Sequence, residues 1–558
     1  MPKLLAVAKE KRLLIRKSFF YLRSFGLRRT SEKIADWADS QINLPFHDAA
    51  QPSSTEFEDI NLPMPRLAQG SAVRPVDIII PVYNQFAFVR RCIDSVFKHR
   101  CPSYNQIFVV DDASGEPELI EYLKSLEKIP NLRLMRNLDN LGFAKTTNLA
   151  MKYSSNDVLL LNSDTLVTKG WLTKIQQAAY IRDDVATVSP LSNNATICSI
   201  PKCCEANPIP AGFSVDSFAE LLEGISLRIY PEVPTTVGFC MYIKRGALAN
   251  VGYFNEEVFK EGYGEENDLC MRLTGQGYKH IIDDSTYVYH SGSASFPKEM
   301  QNALLSAGVD RVSRLHPTYL EIVENYLREN PLRSYYSFLG SCLHIRSTPK
   351  PVVLIVLHAP LESLGGVELQ TGDLTRDLGD YFLAVMEGVG QKIKVQVFCE
   401  GARFLQLAFN LECRNGERDQ EEIFSFLLRA FNIQVVHFQH LYGRPCSLPR
   451  IAKLSGAKTI LSLHDFYLFC ESYNLLNHRD EFCNYERDYL ACSDCLHKKG
   501  LLDKWDPDYQ RNRRAYMEKM MREDVDVIVT PSEFVKYQFS SLFPHVPTEK
   551  YRILENGA

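Results

Sequence analysis

The chain has 558 residues, which at roughly 150 residues per domain predicts two to four domains. Hydrophobic residues at 45% and charged residues at 23% exclude global disorder, and ordinary Gly and Pro usage excludes a collagen-like or low-complexity scaffold. With 63 basic against 68 acidic residues the formal net charge is −5, so no nucleic-acid partner is expected.

The amino end stands apart. Between Met1 and Thr30, nine Lys or Arg oppose a single acid, Glu10, and alternate with Leu, Ile, Phe and Tyr. Charges interrupt every candidate apolar core of a signal peptide, so export by that route is not expected. Two readings stay open: a basic amphipathic helix on an anionic membrane surface, or a helix packed on a catalytic domain with a solvated basic face. No run reaches the roughly 18 apolar residues of a membrane span, so no integral membrane protein is expected. The fifteen Cys lie mostly in apolar runs such as Gly238-Phe239-Cys240-Met241. They read as reduced, buried thiols of a cytoplasmic protein, with peripheral contact at the inner membrane face through residues 1–30 as a candidate.

Residues 1–72 read as a basic helical extension ending in a Pro- and Ser-rich linker. A domain over 73–297 then alternates β-rich runs (Val76 to Val82, Gln106 to Val110, Leu132 to Arg136, Val158 to Leu161) with helical patterns near Phe88 to Lys98, Pro117 to Leu126 and Thr146 to Tyr153. This alternation predicts an α/β fold with a doubly wound, mainly parallel sheet whose ligands bind at the carboxyl ends of the strands. A Pro-punctuated helical stretch over 298–350 leads to a second α/β unit, 351–558, with strands at Val352 to Leu357, Lys394 to Phe398, Val435 to Phe438, Thr459 to Leu463 and Val525 to Val529.

Polar residues collect at the expected strand ends: Pro81-Val82-Tyr83-Asn84, Asp111-Asp112-Ala113-Ser114 and Asn162-Ser163-Asp164. Carboxylates placed there can hold a hard divalent cation that bridges diphosphate oxygens, although Asp, Asn and Ser are also ordinary turn residues. Farther on, Glu265, Glu266 and Asp268 open an apolar-periodic helix after Gly264. They complement a helix N-terminus, or they supply a general base whose pKa an adjacent carboxylate raises. His290 ends a later strand and reads as a structural histidine or a ligand.

The order and spacing of these motifs, with Asn140-Leu141-Gly142-Phe143 between them, resemble family 2 glycosyltransferases of GT-A fold from about Val76 to Phe296, the rhamnosyl- and galactofuranosyl-transferase group of surface-polysaccharide synthesis above all. The resemblance implies an inverting transfer from a nucleoside-diphosphate sugar to a glycan or lipid-linked glycan acceptor, with Mn²⁺ or Mg²⁺. It implies donor contacts from Pro81, Tyr83, Asn84, Asp111 or Asp112, Asn140, Gly142, Asn162 and Ser163. Asp164 and His290 would hold the metal, and Glu266 would be the base with Glu265 and Asp268 beside it. Two departures stand out: the DxD motif reads Asn162-Ser163-Asp164, and the Glu-Asp pair reads Glu265-Glu266. Nucleotidyl transfer and a degenerate, non-catalytic glycan-binding protein are the alternative functions.

In the second unit, Gly365-Gly366-Val367-Glu368, Ser462-Leu463-His464-Asp465 and Glu555-Asn556-Gly557 resemble the amino-terminal half of a family 4, GT-B glycosyltransferase. That resemblance implies a Rossmann-like lobe with Gly365, Gly366 and His464 at its site, lacking the second lobe and inactive alone. Cys470, Cys483, Cys492 and Cys495 form C-x12-C-x8-C-x2-C. The set reads either as a four-thiolate structural Zn²⁺ site or as reduced structural cysteines.

Overall fold

The computed structural model describes residues 60–64, 74–101, 103–260, 262–292, 298–389, 392–411 and 416–554. The basic segment 1–30, with its membrane reading, and Glu555 to Gly557 lie outside them. The described residues fall into two compact units: one runs to Gly340, and the other combines the short segment before Pro65 with Ser341 onward. The helices Lys298–Leu315 and Tyr319–Glu329 thus belong to the first unit. Strand β1 (Ile60–Leu62), expected as linker, belongs to the sheet of the second. Among the described residues no helix is long and apolar enough to cross a membrane.

The first unit is α/β, as expected. Its strands are β2 (Val76–Val82), β3 (Tyr104–Asp111), β4 (Leu132–Arg136), β5 (Asp157–Leu161), β6 (Thr165–Leu166), β7 (Val185–Leu191), β8 (Glu232–Val233), β9 (Cys240–Ile243), β10 (Lys279–Tyr287) and β11 (Tyr289–His290). Eight of them form one sheet in the order β4-β3-β2-β5-β9-β7-β10-β8, and β6 pairs with β11 in a small antiparallel ribbon. β2 to β5 are mutually parallel, whereas β9 runs antiparallel between β5 and β7. Central strands covered on both faces read as continuous apolar runs, and Ile78, Ile79, Ile80, Leu159 and Leu160 are fully buried.

Helix α1 (Phe86–Lys98) follows β2 and buries Val89, Cys92, Ile93 and Val96, a single stripe at helical spacing. Helix α2 (Pro117–Leu126) starts with Pro at its first turn, where the missing N–H costs nothing. Helices α3 (Phe143–Tyr153), α4 (Trp171–Ala179), α5 (Val215–Ile225), α6 (Arg245–Val251) and α7 (Glu265–Thr274) complete the layers. Leu269, Cys270 and Leu273 of α7 pack into the same core as Ile79, Phe108, Leu160 and Met241. That burial fixes the helix whose first turn carries the acids.

The second unit holds a nine-stranded sheet in the order β1-β15-β14-β13-β12-β16-β17-β18-β19. Its later strands are β12 (Val352–Val356), β13 (Phe382–Val389), β14 (Lys392–Cys399), β15 (Ala402–Asn410), β16 (Val435–Phe438), β17 (Lys458–Ser462), β18 (Val527–Thr530) and β19 (Tyr551–Ile553). The parallel run from β13 through β12 to β19 fits the expected Rossmann-like lobe, but β13, β14 and β15 form an antiparallel meander that the expectation lacked. Glu387 explains the omission: it is fully buried inside β13, and its carboxylate accepts from Gln396 Nε2 at 3.1 Å and from the Leu361 N–H at 2.5 Å. A strand interior holding a carboxylate does not read as one without those partners.

Candidate active site

The carboxyl ends of β2 and β3 are tied together by side chains. Asn84 donates its backbone N–H to Ser114 Oγ at 2.8 Å, and its own carboxamide oxygen accepts from Gly115 N–H at 2.9 Å. Glu116 accepts from the backbone N–H groups of Gln85 and Phe86, both at 2.9 Å. Asn84 therefore builds the loop, while Pro81 is half-buried and Tyr83 stands 42% exposed.

The two adjacent aspartates have different surroundings. Asp112 Oδ1 accepts from Asn137 Nδ2 and Leu141 N–H, both at 2.8 Å, and Oδ2 from Gly142 N–H at 2.9 Å. Its carboxylate thus holds the loop that enters α3, where Asn140 Oδ1 also accepts from Gly142 N–H at 3.1 Å. Gly142 has φ +82° and meets the Lys260 carbonyl so closely that a Cβ would collide with it. Asp111 is buried; its Oδ1 accepts from Ser114 N–H at 3.0 Å, and Oδ2 has no hydrogen bond, with Arg136 Nε 3.4 Å away. Replacing Asp112 with Ala removes an acceptor from three donors, of which Gly142 N–H keeps Asn140 and Asn137 keeps Thr146, and is expected to destabilise the unit by about 1–3 kcal/mol for the Leu141 N–H left without its partner. Chemical denaturation checks this, and an unchanged midpoint would show that the loop does not depend on the carboxylate.

At the end of β5, the Asn162 N–H donates to Phe239 O at 2.8 Å, and Ser163 is half-buried beside it. Asp164 Oδ1 lies 3.3 Å from His290 Nε2. His290 is held on every side: its N–H donates to Asn193 Oδ1 at 2.8 Å, its carbonyl accepts from Asn193 Nδ2 at 2.9 Å, and its ring stacks on Phe239 at 5.3 Å. Nδ1 sits 2.6 Å from the Asn194 carbonyl, which only accepts, so Nδ1 carries a proton. A neutral His290 would then turn a lone pair towards the Asp164 carboxylate. Two acceptors at that distance require a proton or a cation between them. Burial pulls the His290 pKa down, but the Asp164 carboxylate and the Asn194 carbonyl outweigh it and hold it above its ordinary value.

Helix α7 begins after Gly264, whose φ is +108° and whose absent Cβ would crowd Phe259 and Val312, each at 3.0 Å. Glu266 is half-buried; its Oε2 accepts from the Gly264 N–H at 3.3 Å, and Gly238 lies against its side chain. Glu265 is buried, and its Oε2 has no hydrogen bond. Burial raises the pKa of both, and the charge of Glu266 pushes Glu265 further up. Asp268 is engaged elsewhere, 2.9 Å from Arg272 Nε and 2.8 Å from His316 Nε2. It anchors the helix.

An acid with a raised folded pKa binds more protons folded than unfolded, so its stability contribution is full below the unfolded value of 4.5 and is lost as pH rises through the folded value. Glu265→Gln removes that loss. We expect the variant to gain melting temperature over wild type as pH rises towards neutral and above. A constant difference across the pH range would contradict it.

These contacts bring distant motifs together: Asp164 meets His290, His290 stacks on Phe239, Gly238 lies on Glu266, and Gly142 meets Lys260. Sequence reasoning missed Asn193, Asn194, Phe239 and Arg136. Ser192-Asn193-Asn194 reads locally as a turn, and its role appears only through contacts to a histidine 97 and 96 positions away. Among the described residues no three His, Cys, Asp or Glu are grouped to hold a metal ion, so Asp164 and His290 stand as a pair of ligand-type groups.

Residues 77–252 match the Glycosyl transferase family 2 model. The chain is also 26% identical over 238 residues to the Pre-mycofactocin glycosyltransferase of Mycobacterium tuberculosis (strain ATCC 25618 / H37Rv). That match covers 42% of this chain and 46% of the relative, so the chain spans under half the length of the protein it matches. Among solved structures it resembles the mannosyltransferase PcManGT from Pyrobaculum calidifontis in complex with GDP-Man and Mn²⁺, at 17% identity over 49% of this chain and 75% of that one, with a TM-score of 0.35. It also resembles S. aureus TarS 1–349 in complex with UDP-GlcNAc, at 17% identity over 49% and 82% of the two chains, with a TM-score of 0.28.

The family 2 match stops short of the second unit, and the family 4 resemblance of residues 351–558 gains no support from the comparisons. The carboxyl edge of its sheet gathers His358, His440 and His464. The His358 and His440 rings are 4.7 Å apart, His440 pairs with Asp465 at 3.1 Å, and His464 Nε2 meets Gln439 Oε1 at 2.8 Å. Burial pushes the His464 pKa down to about 4. Gly365 precedes a helix (Gly366–Asp377) whose first turn is occupied by the buried Glu368 carboxylate, pressed against Gly365 and 3.4 Å from His358. The zinc reading of Cys470, Cys483, Cys492 and Cys495 gains no support: the four form no disulfide, and among the described residues no three His, Cys, Asp or Glu are grouped to hold a metal ion. Burial holds the Cys492 thiol at about 11, and the Arg514 guanidinium, itself a cation, lies 3.2 Å from its sulfur.

Proposed function

We propose that the first unit transfers a sugar from a nucleoside diphosphate to an acceptor hydroxyl with inversion. The observation that carries this reading is the Asp164–His290 pair 3.3 Å apart, linked through Phe239 and Gly238 to Glu266, at the carboxyl edge of a family 2 domain. Asp111, whose Oδ2 makes no hydrogen bond and has only the Arg136 guanidinium beside it, is the aspartate offered to a pyrimidine N–H, since Asp112 holds the Gly142 loop. Pro81 and Tyr83 line the neighbouring strand end. Asp164 and His290, whose acceptor atoms face each other, would hold a divalent cation. Such a cation, Mn²⁺ or Mg²⁺, supplies charge neutralisation for the departing diphosphate when bound. Glu266 takes the proton from the acceptor hydroxyl, because burial raises its carboxyl pKa above the ordinary value and its side chain is half-buried where that of Glu265 is buried. That oxygen attacks the anomeric carbon from the face opposite the leaving group.

A panel of nucleotide sugars incubated with the full chain and Mn²⁺ tests this. Slow release of the nucleoside diphosphate, with water as acceptor, is expected for one donor and not without the cation. No release from any donor would favour the non-catalytic glycan-binding alternative.

A further inference from the structure

Between β7 and α5 the chain forms a loop, Ser192 to Asn207, that carries two adjacent cysteines. Successive residues of an extended chain point to opposite sides. Cys204 departs from this with φ +59°, and its sulfur comes to 3.6 Å from that of Cys203. Bonded sulfurs would lie at about 2.0 Å, so these are two thiols poised side by side. Cys204 is exposed and Cys203 half-exposed, whereas Cys92, Cys101, Cys198, Cys240, Cys270 and Cys342 are buried.

The loop is fastened to the cleft. The buried Asn207 side chain donates to the carbonyls of Lys202 at 2.9 Å and Glu205 at 3.0 Å, which flank the cysteine pair. It also donates to Asn193 O at 3.2 Å, and the Asn207 N–H donates to the same carbonyl at 2.8 Å. Asn193 in turn brackets the backbone of His290, and the Asn194 carbonyl orients its ring. One asparagine therefore joins both flanks of the thiol pair to the cradle of His290.

We propose that Cys203 and Cys204 are a modification site for hydroperoxides, closing to a vicinal disulfide that loosens the Asn193–Asn194 cradle. The Cys204 thiol draws the Cys203 thiol below its ordinary pKa against the opposing effect of burial, with Tyr336 adding to the shift. Cys203 is accordingly the attacking sulfur. Its thiolate attacks one oxygen of hydrogen peroxide, the O–O bond breaks, and hydroxide leaves and is protonated to water, giving a sulfenic acid. The Cys204 sulfur then attacks the Cys203 sulfur, the S–O bond breaks, and a second water departs with the Cys204 proton. Two thiols and one peroxide become one disulfide and two waters. Closing the pair shortens the gap between the sulfurs and reshapes the peptide between Lys202 and Glu205, the two carbonyls that Asn207 binds. The site stands on its own geometry and does not depend on the sugar-transfer reading.

The test oxidises the full chain with stoichiometric hydrogen peroxide, alkylates remaining thiols and maps tryptic peptides by mass spectrometry. The peptide beginning at Cys203 is expected to lose two hydrogens, to escape alkylation and to recover both thiols after dithiothreitol. Cys204→Ser should block the disulfide and leave Cys203 to oxidise further. Hydrogen exchange in the oxidised wild type should rise at 193–194 and 289–290, and the Cys204→Ser chain should not show this rise. Alkylation of both cysteines while other thiols oxidise would overturn the site. A disulfide formed without change in exchange at those segments would overturn its link to His290.

Discussion

Replacing Glu266 with Gln is expected to lower turnover by roughly 10²–10⁴ while donor affinity persists. Gln keeps the size and the hydrogen bond from the Gly264 N–H but cannot accept the acceptor's proton. The two other acids of this turn are poor substitutes. Asp268 is locked between Arg272 and His316, and Glu265 is closed off from solvent. Steady-state kinetics with nucleotide-sugar titration separates the effects: kcat should fall and donor affinity should hold. Retained turnover would move the proton transfer to Glu265.

Asp164→Asn should have the second large effect. Removing the carboxylate takes away the charge that a divalent cation needs, and loss of a preorganised electrostatic partner at the leaving group costs turnover about 10²–10³. A second readout does not depend on activity. Asp164 is the main influence holding His290 above its ordinary pKa, and burial opposes it. In the variant that support is gone, so the His290 pKa should fall, which an NMR titration of its ring protons follows. An unchanged His290 titration would mean that the 3.3 Å pairing does not persist in solution.

The elements that sequence fixes most firmly share one property: their own residues show both pattern and boundary. Val76–Val82 is an apolar run that closes on Tyr83-Asn84, Pro117–Leu126 opens on Pro at the first helical turn, and Leu132–Arg136 sits between polar turns. Each occupies the residues its pattern predicts. Phe143–Tyr153 begins earlier than the Thr146 start that its periodicity suggests, because Gly142 and the Asp112 carboxylate set its entrance from outside the helix. The same contrast runs through the site. Glu266, Asp164 and His290 were visible as acids and a histidine at strand or helix ends. The roles of Asn193, Asn194 and Phe239 were not, because each exists only as a contact with His290 across the sheet. The choice between Asp111 and Asp112 was likewise closed to sequence, since it turns on which carboxylate the Gly142 loop consumes. In the second unit the four cysteines had spacing without geometry, and Arg514, far along the chain, lies against one of them.

In the proposed reaction the first unit binds a nucleoside diphosphate through a cation held by Asp164 and His290. Thermal denaturation of the full chain against a panel of nucleoside diphosphates and nucleotide sugars, with and without Mn²⁺, tests it most directly, because a ligand that binds only the folded state raises the melting temperature. A rise is expected for one nucleotide that requires Mn²⁺ and disappears in Asp164→Asn. A rise that is indifferent to both Mn²⁺ and Asp164, or no rise with any nucleotide, would contradict it.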